Sequence, residues 1–108
     1  MTQYEPRVQL QQLADEYRRR VDAIRRDLTS PRVPDFAEQA QERQNDDVLR
    51  ALLLEAEQGL REVNRAIERL ADGTYGQCIR CGGPIGEARL QALPTAEKCV
   101  KCADLQEG

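Results

Sequence analysis

Apolar residues recur along the N-terminal part of the chain with the period of an α-helix. Successive members of this set lie three or four positions apart: Leu10, Leu13, Tyr17, Val21, Ile24 and Leu28. That spacing places them on one stripe of a helix, so Tyr17 is expected to pack in the core rather than to stack on a base. Pro6 fits the first turn, where its missing N–H costs nothing. The pattern predicts an amphipathic helix from Glu5 to Leu28.

The helical pattern stops where two prolines, Pro31 and Pro34, follow the first helix. Each proline biases its preceding residue away from the helical region, and Asp35 can then cap a second helix. That helix is predicted from Asp35 to about Leu70. Its apolar residues lie three or four positions apart, and the average spacing of about 3.5 residues is the period of a left-handed coiled coil. The apolar stripe is Leu49, Leu52, Ala56, Leu60, Val63, Ile67 and Leu70.

Two long helices joined by a short turn are expected to lie antiparallel. At the usual rise per residue they would reach about 36 Å and about 50 Å. The predicted fold is mainly α: an antiparallel two-helix coiled-coil hairpin over residues 1–72, with its tip near 29–40. A small C-terminal C4 zinc-finger module is predicted over residues 73–108.

The zinc-finger prediction comes from the four cysteines, which form two C-x2-C pairs separated by 17 residues. Two intervening residues let both sulfurs of a pair bend onto one ion, and two pairs complete the tetrahedral S4 shell of a structural Zn²⁺. Glycines around the first pair supply the conformations that tight turns need. The predicted ligands of one structural zinc ion are Cys78, Cys81, Cys99 and Cys102.

Other uses of four cysteines fit less well. Two disulfides would suit a secreted protein, but the polar N-terminus has no apolar signal region. A redox C-x-x-C would normally accompany a βαβ pattern, which is absent from the sequence. A catalytic zinc would leave a coordination position open, whereas four thiolates close it.

Composition limits the remaining possibilities. Hydrophobic residues make up 40% of the 108 residues and aromatic residues only 4%, so a narrow helical seam suits this chain better than a broad globular core. The formal net charge of −3 provides no general attraction to DNA or to an anionic membrane. The sequence has no apolar run long enough for a transmembrane helix, and the cysteine usage suggests a cytoplasmic location.

The predicted tip and the start of the second helix are acidic. Between Val33 and Asp47 the sequence has five carboxylates and a single basic residue, Arg43. Carboxylates near a helix N-terminus are stabilised by the helix dipole, which is a purely structural explanation. A functional explanation is that a rod carries its acids into a charged or metal-bearing site of another molecule. The tip lacks the histidines and phosphate-binding loop that would suggest independent catalysis, so the protein is not expected to be an enzyme. The five acids are Asp35, Glu38, Glu42, Asp46 and Asp47.

The C-terminal segment resembles the zinc finger of the DksA/TraR family. From Tyr75 to Cys102 it meets, position by position, the pattern Y-G-x-C-x-x-C-G-x-x-I-G-x-x-R-L-x-A-x-P-x-A-x-x-C-x-x-C. The preceding hairpin extends the resemblance over most of the chain. The longer members also have an N-terminal globular segment and a C-terminal helix, so this chain is expected to be a short member.

The resemblance implies a function. Family members bind bacterial RNA polymerase without binding DNA, insert the coiled coil through the secondary channel and modulate initiation, often with ppGpp in the stringent response. Their tip motif D-x-x-D-x-A corresponds here to Asp35, Glu38 and Ala40, with Glu in place of the second Asp. Arg89 matches the arginine of the family's finger and is a candidate polymerase contact. A cytoplasmic monomer is expected, with ppGpp as a candidate ligand at the joint interface.

Two other hypotheses remain open. A zinc-stabilised adaptor could pair its coiled coil with a helix of a different protein. A DNA-binding finger is less favoured, because basic and acidic residues balance from Gly73 onward. The residues on the two sides of that balance are Arg80, Arg89, Lys98 and Lys101 against Glu87, Glu97, Asp104 and Glu107.

Overall fold

The computed structural model describes residues 5–29 and 36–105, and for residues 36–42 it describes the backbone alone. The predicted mainly helical fold, with a hairpin and a C-terminal four-cysteine module, is confirmed. Between α2 and α3, the described residues contain one isolated antiparallel bridge, from Gln77 to Pro84. None of the described helices is long and apolar enough to cross a membrane. The helices are α1 (Pro6–Thr29), α2 (Phe36–Asp72), α3 (Glu87–Ala92) and α4 (Val100–Asp104).

Helices α1 and α2 pack against each other as an antiparallel pair. Near the finger, Leu10 from the start of α1 is buried against Val63 from the end of α2. Toward the tip, Val21 and Ile24 are buried against Ala56. The start of α1 therefore lies beside the end of α2, as expected for an antiparallel pair. The molecule is elongated, with extents of 57 × 36 × 25 Å.

The predicted stripe of α2 was wrong at Leu52, whose surface is 46% exposed. Leu53 packs against the buried residues of the seam instead. Residues 52 to 54 are all leucine, and either Leu52 or Leu53 continues a pattern of threes and fours from Leu49 to Ala56. Periodicity alone could not choose between them, because the choice depends on which face meets α1.

Tyr17 lies in the seam, as predicted, and it crosses α2 at Gly59. A Cβ atom at Gly59 would lie only 2.5 Å from Cζ of Tyr17, so the missing side chain makes room for the ring. The guanidinium carbon of Arg20 lies 5.2 Å from the ring centroid on the outer side, within the range of a cation–π contact. A glycine that weakens a helix by about 1 kcal/mol relative to alanine is therefore required here by packing.

The finger begins where α2 ends. The backbone N–H groups of Thr74 and Tyr75 both donate to the carbonyl of Arg69, at 2.9 and 3.1 Å, and close the last turn of the helix. Tyr75 packs with Ile85 and Leu90 beneath the cysteines, and it also contacts the hairpin core. Leu93 lies outside this cluster and is 51% exposed.

Candidate metal centre and hairpin tip

The first cysteine pair lies in a tight turn of the backbone. The N–H of Cys78 donates to the carbonyl of Gly83 at 2.8 Å, and the N–H of Gly82 donates back to the carbonyl of Cys78 at 2.9 Å. Gly82 takes a φ of 76°, which a residue with a side chain rarely adopts. The N–H of Gly83 points at Sγ of Cys81 at 3.4 Å. This turn brings both sulfurs of the pair to the same side of the chain.

The second pair is placed by α4. Cys99 is the N-terminal capping residue of this helix, and its carbonyl accepts the N–H of Ala103 at 2.9 Å. Cys102 lies one turn further along and is buried. A single helical turn therefore returns the second sulfur toward the first.

The two pairs meet in one cluster. The four Sγ atoms lie within 4.8 Å of one another, and those of Cys81 and Cys99 are 3.9 Å apart. A tetrahedral zinc with Zn–S bonds of about 2.3 Å requires sulfur separations of about 3.8 Å, so these residues fit the ion. All four cysteines are free of disulfides. They are positioned to bind one metal ion, and the prediction of a single zinc ion is confirmed.

The close packing of the sulfurs shifts the pKa values of two thiols in opposite directions. Hydrogen bonds from backbone N–H groups, led by that of Cys81, lower the pKa of the Cys78 thiol to about 6. The side-chain hydrogen bond with Cys99, together with burial, raises the pKa of the Cys102 thiol to about 12. Thiolates so close together repel one another, and a bound divalent cation removes that repulsion while the remaining thiol protons are released.

The predicted tip residues cannot be placed in the same detail. Asp35 lies outside the described residues, as do the side chains of Glu38 and Ala40. The backbone at Glu38 and Ala40 belongs to the first turns of α2. Their proposed role at the tip therefore stays a prediction.

Arg89 is partly occupied by a contact within the finger. Its Nε donates to the carbonyl of Lys98 at 3.0 Å, which ties α3 to the segment ahead of Cys99. Its side chain also lines a groove of about 390 Å³ between α2 and the finger, together with Glu62 and Lys98. The groove carries both signs of charge. Contact between Arg89 and polymerase stays a prediction.

Sequence reasoning missed an ionic junction between the finger and α2. Glu97 Oε1 lies 2.9 Å from Nε of Arg65 and 3.6 Å from Nη1 of Arg69. The hydrogen bond to Glu97 raises the pKa of Arg65 above its usual value. The two arginines lie four residues apart on one face of α2, a spacing visible in the sequence. Their partner, 28 residues beyond Arg69, could not be found from that spacing.

Comparison with known proteins covers both parts of the chain. The family described as "DnaK suppressor protein-like, N-terminal domain" matches residues 7–70, and "Prokaryotic dksA/traR C4-type zinc finger" matches residues 73–108. The structure of transcription factor DksA2 from Pseudomonas aeruginosa superposes with a TM-score of 0.84 at 32% identity, and the match covers 94% of this chain and 80% of that one.

Curated relatives match over a shorter segment. The RNA polymerase-binding transcription factor DksA of Caulobacter vibrioides is 44% identical over 46 residues, which is 43% of this chain and 32% of the relative. The protein of the same name from Escherichia coli K12 is 35% identical over 48 residues, 44% of this chain and 32% of the relative. The matched segment is thus less than a third of these relatives' length. On the two family matches, which together span nearly the whole sequence, the chain belongs to the DksA/TraR family of C4-type zinc-finger proteins.

Proposed function

We propose that this protein is a transcription regulator that binds bacterial RNA polymerase through its secondary channel. The observation that supports this most strongly is the shape: a two-helix rod is attached to a four-cysteine centre, and the long dimension is 57 Å. Relatives that match part of the chain are named RNA polymerase-binding transcription factors. A rod of this kind can enter an opening that excludes a globular surface.

In this proposal the rod presents Asp35 and Glu38 close to the polymerase active site. Their negative charge would favour one conformation of the initiation complex over another. A bound protein can shift such an equilibrium only by the difference in its affinity for the two conformations. The protein itself performs no catalysis, and the finger stays outside the channel.

The proposal is tested by in vitro transcription with purified polymerase. Asp35→Asn removes one tip charge at nearly constant size, and we expect it to keep polymerase binding while losing the effect on initiation. Asp22→Asn is the matched control, because it makes the same change at an exposed position of α1, outside the acidic tip. If Asp35→Asn regulates as well as the wild type, the tip mechanism is wrong.

Three finer parts of the proposal need separate experiments. Adding ppGpp to the same assay tests whether the nucleotide acts at the joint interface of the two proteins. Titration of the protein with random duplex DNA at low salt tests the proposed absence of DNA binding, since non-specific binding would be strongest there. Sedimentation of the free protein tests the proposed monomer.

An adaptor with another target is the second candidate. It is favoured by apolar side chains that α2 leaves outside the seam: Val48, Leu52 and Leu54 are all exposed. Such residues could pack against a helix of a partner. Recovery of the tagged protein with polymerase subunits from cell extract favours the first candidate, whereas a different dominant partner that binds directly when purified favours the second.

A further inference from the structure

Glu97 lies where three parts of the molecule meet. Its carboxylate accepts a hydrogen bond from Arg65 at 2.9 Å and faces Arg69 at 3.6 Å, and both arginines belong to α2. Its backbone carbonyl accepts the N–H of Ile79, between the first two cysteines, at 2.9 Å. Glu97 also precedes Cys99 by two residues. One residue therefore connects the rod with both halves of the finger.

The charge of Arg69 makes this connection strong. Only 12% of its side chain is exposed, and its Nε and Nη2 atoms are buried without a hydrogen-bond partner within the described part of the chain. A buried guanidinium left without a counter-charge is strongly destabilising. Glu97 is the carboxylate that the structure pairs with it. Any movement that takes the finger away from α2 also takes this counter-charge away.

A second connection lies beside the first. The ring of Tyr75 packs against the hairpin core and against the apolar cluster of the finger. Its hydroxyl donates to the carbonyl of Pro94 at 2.9 Å. The ring contact alone would allow the finger to rotate relative to the hairpin, because apolar contacts are not directional. With the ionic contact at Glu97 added, the angle between finger and rod is also fixed.

That angle controls where the tip lies. From Arg69 to the start of α2 the rod extends about 50 Å, so a rotation of about 10° at the finger displaces the tip by about 9 Å. Misplacement of a functional group by about 1 Å can already reduce activity severely. We propose that Glu97 is a positioning residue that sets the angle between the finger and the hairpin. The effect on transcription rests on the function proposed above, whereas the angle itself does not.

The angle can be measured in the free protein by NMR with Co²⁺ bound at the four cysteines. Tetrahedral Co²⁺ is paramagnetic, and its effect on each amide shift depends on the direction of that amide from the metal. For Glu97→Gln we expect altered paramagnetic shifts throughout α1 and α2, while those within the finger stay as in the wild type. Glu87→Gln is the matched control, because this exposed acid of α3 interacts with Gln91 in its own helix. Unchanged shifts in the hairpin would overturn the proposal.

A charge swap tests whether the ion pair itself is responsible. Glu97→Arg places like charges together and should disturb the hairpin shifts at least as much as Glu97→Gln. Adding Arg69→Glu restores opposite charges, and we expect the shifts to return toward those of the wild type. If the double variant is no closer to the wild type than Glu97→Arg alone, the ion pair does not set the angle.

The transcription assay then tests the consequence for function. Glu97→Gln should raise the concentration needed for half-maximal effect about a hundredfold, the order expected for a misplaced functional group, while Glu87→Gln leaves it unchanged. A changed angle with unchanged transcription would overturn the functional part. If the wild type has no effect on polymerase, the proposed function fails, and the NMR comparison still decides the role of Glu97 at the junction.

Discussion

The hairpin and the finger are stabilised in different ways. Along the seam, buried and half-buried side chains repeat every three or four residues, from Leu10 to Ile24 on α1 and from Ala56 to Ala66 on α2. Among its described residues, the finger buries little besides Ile85, Leu90, Cys78 and Cys102. Burial that is spread over many contacts can be reduced step by step, whereas four ligands around one ion form a single unit. A single substitution should therefore lower the stability of the hairpin only in part, whereas the loss of one cysteine ligand should unfold the whole finger.

Removal of the metal should have the largest effect, and it should separate the stability of the finger from that of the hairpin. Zinc binding contributes about 10–16 kcal/mol in small zinc fingers, so we expect Cys102→Ser, or a strong chelator, to unfold the finger. The hairpin should keep most of its helical signal because its seam is independent of the metal. Metal content, circular dichroism and amide shifts measure the two regions separately. Complete loss of helix on metal removal would show that the hairpin does not fold independently.

A cavity in the seam should have a smaller effect, and this effect should be confined to the hairpin. Leu10 is fully buried, and Leu10→Ala should lower the free energy of unfolding of the hairpin by about 2–5 kcal/mol. Leu54→Ala is the matched control, because Leu54 is 67% exposed and should change stability by less than about 0.5 kcal/mol. Urea unfolding of the zinc-bound protein measures both. Equal effects of the two substitutions would contradict the described seam.

Gly59→Ala should have the smallest effect, and its sign is the informative part. Helix propensity favours alanine by about 1 kcal/mol, but the added Cβ would lie 2.5 Å from the Tyr17 ring. Overpacking typically costs about 1–3 kcal/mol, so we expect net destabilisation.

The same substitution in a Tyr17→Leu background should be stabilising, because the clash is gone. A double-mutant cycle measured by urea unfolding separates the two contributions. Stabilisation of the wild-type background by Gly59→Ala would mean that the ring does not cross α2 at this point.

The sequence was sufficient for the parts of the fold that depend on local spacing. Both helices and the four-cysteine cluster follow from short-range patterns, and so does the position of Tyr17 in the seam. The register at Leu52 and Leu53 was not predictable, because both choices satisfy the period and only the partner helix distinguishes them. Ala56 was part of the predicted stripe, but Ala14 and Ala66 were missed because their larger neighbours Leu13 and Ile67 already satisfy the period. The contact of Glu97 with α2 depends on how the finger folds back.

The alanines in the seam also determine how thick the rod is. Ala14, Ala56 and Ala66 are almost entirely buried between the helices, where they let the two backbones come close together. Leucines at the same places would push the helix axes apart. A rod of two closely spaced helices can pass through a narrow pore that would stop a thicker bundle. The smallest side chains of the core therefore reduce the minimum width of the opening that such a rod needs.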